Sequence, residues 1–148
     1  MEKHIPETLK PVSLLSPETT DGGAQSSYLD LKNAHMAYLV VNLKQAAADE
    51  TVITVEEREE GESESTVEND VRIWADHDVD DDNEELERRD DAKTYTVPNE
   101  DDDMLIIFQV DPRALKEDSD QVRVTFSNSG ESTNFASVVA YTVPRYQG

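Results

Sequence analysis

The stretch MAYLVVNL, residues 36–43, decides the fold. Only Asn42 interrupts its apolar run, which reads as a central strand buried on both faces of a sheet. MLIIFQV at 104–110 is a second strongly buried run. Around these two, shorter strand signals recur. SYLDLKN (27–33) alternates polar and apolar positions, and TVITVEE (51–57) is short and β-branched. VRIWAD (71–76) sets Val71 and Ile73 on one side, Arg72 and Trp74 on the other. TYTVP (94–98), QVRVTFS (121–127) and FASVVAYTV (135–143) complete the set. The expectation is an all-β chain, an antiparallel sandwich or jelly roll of about eight strands. NSGES (128–132) reads as a hairpin connection with Gly130 free to take positive φ. DPRALKEDSD (111–120) reads as one or two turns of helix, with Asp111 as N-cap and Pro112 as its first residue.

A chain of 148 residues fits one domain with a single core. It has no cysteine, which excludes disulfides, thiolate metal sites and a cysteine nucleophile. The net charge of −21 is its dominant property. A chain of this mass folds to a surface of about 7,600 Å², so there is about one net negative charge per 360 Å². Phosphate backbones and anionic membranes demand basic patches, so neither nucleic acid nor a membrane is an expected partner. Residues 56–103 hold 22 of the 34 acids, yet the remaining positions still carry 12 acids against 8 basic residues. Acid spread this widely points to adaptation to concentrated salt, where the Debye length falls to about 3 Å at 1 M. Two acidic loops, at about 56–65 and 76–91, flank the strand that carries Trp74.

The second of these loops contains DHDVDDDNEELE (76–87). Asp76, Asp78, Asp80, Asp82, Glu84 and Glu87 stand at places one, three, five, seven, nine and twelve of an EF-hand type calcium loop. Asp81 occupies the sixth place, where the turn needs Gly. In so acidic a region the pattern arises easily, and these six are weak metal candidates. The stretch is read as a hydrated loop that condenses cations diffusely, and no cofactor is expected. His4, His35 and His77 form no metal-binding spacing, no serine lies in a GxSxG elbow, and no glycine-rich phosphate loop exists. General acid–base chemistry needs a carboxyl with a raised pKa, which loop acids bathed in water lack. The chain is not expected to be an enzyme.

Residues 1–26 carry Pro6, Pro11 and Pro17 and lack a long apolar run, so neither a signal peptide nor a membrane anchor is expected there. Fully extended they reach roughly 85 Å. They read as an arm outside the core of 27–148, with Leu9, Val12, Leu14 and Leu15 as anchors on a neighbouring subunit.

The ordered segments YLDLKNAHMAYLVVNLKQA (28–46), TVITVEE, VRIWADHD, MLIIFQVDPRAL (104–115), VRVTFSNS and ASVVAYTVPRYQG (136–148) resemble a group of small proteins encoded beside the major capsid protein in tailed viruses and phages. The resemblance covers most of 28–148 and consists of strands with polar markers. It implies a virion structural protein, a capsid decoration or cement subunit on the capsid surface. Its partners would be the major capsid protein and further copies of itself, as a trimer or pentamer. The chain departs from the group by putting acid where the central loops are glycine-rich, as befits a virus of a salt-loving host. A neck or tail connector ring is a second expectation. A carbohydrate- or receptor-binding module built on Trp74 and Tyr95 is a third.

Overall fold

A computed structural model describes residues 9–45, 50–79, 85–98 and 102–144. Among these residues, twelve strands form two antiparallel six-stranded sheets, as the alternating pattern demands. The first sheet contains β1 (Lys10–Thr19), β4 (Ala34–Gln45), β7 (Val71–Asp76), β8 (Glu87–Ala92), β10 (Asp102–Val110) and β12 (Phe135–Pro144). Its order is β1-β12-β4-β10-β7-β8. The second contains β2 (Ala24–Gln25), β3 (Leu29–Asp30), β5 (Thr51–Arg58), β6 (Ser65–Thr66), β9 (Thr94–Val97) and β11 (Gln121–Phe126). There β11 and β5 form the centre, with the four short strands hydrogen-bonded to their outer edges.

Period-two alternation on the long strands supplies the core. On β4, Ala37, Leu39, Val41 and Leu43 are wholly buried, and on β10 so are Met104, Ile106 and Phe108. They meet Ile53, Val55, Val122 and Val124 from the other sheet in one apolar cluster. The outward positions of β4 are not buried in the same way: Tyr38 and Val40 are half-exposed, Asn42 and Lys44 exposed. The expectation of burial on both faces is therefore corrected. Apolar outward residues here cover one another across strands, and among the described residues no further layer covers them.

The expected arm is corrected as well. Lys10–Thr19 is an edge strand of the first sheet, paired with β12 from Lys10↔Thr142 to Thr19↔Phe135. Leu14 and Leu15 lie in the core, and Val12 packs against it. An edge strand needs few ladder donors, so it tolerates Pro11 and Pro17, and register shifts flank Leu15. Thr20 is buried next, its hydroxyl 2.8 Å from that of Ser129, and Ala24 and Gln25 pair with β11. No boundary falls at residue 26. Residues 1–8, the outer part of the expected arm, lie outside the described residues.

The NSGES turn joins β11 to β12, which belong to different sheets, so it is a crossing between layers and not a hairpin. Gly130 does take positive φ, 71°. The expected helix at 111–120 is a single 3-10 turn, Pro112–Ala114. Asp111 caps it by accepting from the Arg113 backbone N–H at 2.9 Å. The Arg113 guanidinium hydrogen-bonds the same carboxylate and holds it below its ordinary range.

Among the described residues, one core position is acidic. Glu57 points inward on β5 beside Val122 and is 1% exposed. Its carboxylate accepts from the backbone N–H of Lys116 at 2.7 Å and of Glu68 at 3.1 Å, fastening two loops to one strand. Glu57→Ala strands both donors and is expected to cost about 2–4 kcal/mol, whereas Glu57→Gln keeps an acceptor and costs less. Chemical denaturation midpoints measured in concentrated KCl check this; equal midpoints for Glu57→Ala and the natural chain would refute it.

A neutral apolar face on an acidic chain

The half-exposed outward positions of the first sheet line up in rows. Val139, Val40, Ile107 and Trp74 stand in register across β12, β4, β10 and β7. The next row holds Tyr141, Tyr38, Gln109 and Arg72. Cross-strand pairs of aromatic and β-branched residues are the unit of sheet stabilisation, which explains why these residue types are extended here. Phe135, at the end of β12, is 42% exposed. Over these four strands the outward charges are Lys44 and Arg72 against Asp76 and Asp103, a neutral sum on a chain of −21. Asp103 faces Lys44 directly in the register.

The outer side of the second sheet has another character. Arg123 pairs with Glu56 at 2.8 Å on neighbouring strands, both side chains mostly buried. The Arg58 and Arg123 guanidinium groups lie 3.6 and 4.7 Å from the Tyr28 ring centroid. Burial pushes the Tyr28 hydroxyl above its ordinary range, although Arg123 pulls it down. That side is a polar, ion-paired surface in which Thr54 and Thr125 form the row next to Arg123 and Glu56, while the buried Tyr28 hydroxyl makes no hydrogen bond among the described residues. The acid of the 56–65 segment is exposed from Glu59 to Glu64, in the connection that leads to β6.

The candidate metal residues do not converge. Glu87 lies on β8 opposite Ala75, a core position, and so points to the inward side. Asp76 is one residue further along β7 and points outward. The Asp76 carboxylate accepts from the Asp78 backbone N–H at 3.0 Å, a local turn contact. Asp80, Asp82 and Glu84 lie outside the described residues. Among the described residues no cluster of three or more acids and histidines forms a metal centre. The acidic loop expected at 76–91 is also shorter than that, since β8 begins at Glu87.

Trp74 and Tyr95 likewise part company. Trp74 is on the outward side of the first sheet, with the Arg88 guanidinium 5.0 Å from its ring. Tyr95 pairs with Ile53 in the second sheet and packs against the core. Its hydroxyl hydrogen-bonds the His77 ring. They form no shared aromatic platform. Of the four expected arm anchors, Leu14 and Leu15 are core residues, Val12 is half-buried at the edge, and Leu9 is partly exposed just before β1.

No protein-family model matches the chain, and no curated protein matches it in sequence. Its fold, however, is similar to that of the SPBc2 prophage-derived protein YomS. The TM-score is 0.51 at 7% identity, covering 90% of this chain and 91% of that one. Two weaker likenesses are to an oxalate oxidase in complex with glycolate (TM-score 0.37, 13% identity, 87% of this chain and 55% of that one) and to CBM4 (0.30, 10%, 81% and 57%). The shared property is the two-sheet fold over nearly the whole length of a prophage-derived protein.

The outward row through Val40 and Val139 was legible in the sequence only as apolar residues on both sides of a strand. Nothing in the pattern separates a second core layer from an exposed face.

Proposed function

We propose that this chain is a structural protein of a virion, a decoration or cement subunit on the capsid of a tailed virus whose host lives in concentrated salt. The observation that carries the reading is the fold likeness to a prophage-derived protein over nine-tenths of both chains. A chain of this size built as a two-sheet sandwich would act through its surfaces, and the neutral apolar face gives it a surface suited to assembly. Decoration gains strength from many copies, each contact being modest.

The major capsid protein is the proposed principal partner. Leu9 and Val12 at the β1 edge, together with residues 1–8, provide the contact segment, since Leu14 and Leu15 are committed to the core. The exposed acids from Glu59 to Glu64 face the surrounding brine, and the acidic segments collect cations diffusely, with no resident metal or cofactor. No catalytic role is proposed. Nucleic acid and anionic membrane remain disfavoured partners for a surface of this charge.

A neck or tail ring is the competing reading, and it uses few copies per particle where decoration uses about as many as the shell itself. Quantifying this chain against the major capsid protein in purified particles tests the proposal. A glycan-binding module is not favoured, because Trp74 and Tyr95 lie in different sheets.

A further inference from the structure

We infer that the outward face of the first sheet is the contact between two copies of this chain, related by a twofold axis. Each copy carries a net charge of −21, so any pairing through acid-bearing loops sets like charges against each other. The outward positions of β12, β4, β10 and β7 sum to zero and are the place where two such bodies can approach without that repulsion. What they present is apolar and aromatic: Val40, Val139, Ile107, Tyr38 and Tyr141, all half-exposed. Removing this surface from water is favourable, and tyrosines such as Tyr38 and Tyr141 are enriched at interfaces.

The symmetry follows from the contrast between the two sheets. A ring of three or five copies joins two different patches. Here that would set the apolar face of one copy against either acidic loops or the ion-paired outer side of the second sheet, where Arg123 and Glu56 are already satisfied. A twofold contact uses the neutral face twice, apolar against apolar. Sheets packed face to face lie about 10 Å apart, close enough to exclude water from Val40 and Val139 at the centre. Concentrated salt screens the remaining repulsion between the two bodies. This pairing does not rest on the shell-binding reading: a chain absent from particles could still pair, and a chain present on them could stand alone.

The test is the mass of the full chain in concentrated KCl at micromolar concentration, by light scattering behind a sizing column. The natural chain is expected at twice its 16.6 kDa. Val40→Lys and Ile107→Lys, each shown by circular dichroism to retain the sheet, are expected at the mass of one copy. Thr54→Lys, on the outer side of the second sheet, should leave the pair intact. If lysine prevents folding, the double variant Val40→Thr, Val139→Thr keeps strand propensity, and its dissociation constant is expected to rise at least tenfold. A natural chain running as one, three or five copies overturns the inference. So does a folded Val40→Lys or Val40→Thr, Val139→Thr variant that pairs as tightly as the natural chain.

Discussion

Deletion of residues 1–26 is expected to destroy the fold instead of freeing a trimmed core. The deletion strips β1 from β12 over Lys10–Thr19 and β2 from β11. It removes Leu14 and Leu15 from the apolar cluster, each burial contributing about 1.5–3 kcal/mol. It also strands Ser129, which is wholly buried and hydrogen-bonded to Thr20. Set against a typical total stability of about 5–15 kcal/mol, these losses are enough to unfold the chain. Any residual sheet would expose β12, an apolar strand, as a bare edge and invite aggregation. Deletion of residues 1–8 leaves every one of these contacts in place and should change the melting temperature little. Far-UV circular dichroism and a thermal melt of both truncations in concentrated KCl make the comparison. A cooperative sheet melt from the 27–148 fragment would show that β1 is dispensable.

Dilution of salt is the second large effect expected. At about 0.01 M the Debye length is about 30 Å, comparable with the molecule, and every carboxylate feels the others; at 1 M it is about 3 Å. The cross-strand and loop ion pairs offer little compensation. Lys32 with Glu60 and Arg88 with Asp91 are exposed pairs, and such pairs are weak. Among the described residues, Arg123 with Glu56 is a better-buried pair. The melting temperature is therefore expected to fall steeply as KCl is diluted from several molar to about 0.01 M, with unfolding at room temperature at the lower end. Raising NaCl should restore the fold as KCl does, whereas sucrose at equal osmolality should not. A melting temperature independent of salt would remove the argument that brine makes this charge tolerable.

The long strands were legible because burial writes a period of two into the sequence. MAYLVVNL and MLIIFQV became the adjacent strands β4 and β10, and the shorter β-branched runs became β5, β7, β11 and β12. What escaped the sequence lies at edges and between layers. Prolines at 11 and 17 argued for an arm, yet an edge strand with shifted register accommodates them. ERRDDA has no strand propensity of its own; it is extended as β8 because β7 offers an unpaired edge, and its charges then protect that edge. The turn residues of NSGES announced a reversal, but not that the chain changes sheets within it. The acidic pattern at 76–87 looked like a ligand set because it was read along the chain. In space Asp76 and Glu87 fall on opposite sides of the sheet. The apolar face was hidden by the same periodicity that revealed the core, because an outward valine and an inward valine are the same letter.

The claim on which this account turns is that the chain is a stoichiometric part of a viral shell. Purified particles, kept in their native salt and freed of unassembled protein, can be analysed by quantitative mass spectrometry for this chain and the major capsid protein together. The account predicts a copy number comparable with that of the shell subunit. Absence from the particles, or a number so small that only a single ring could be filled, would contradict it.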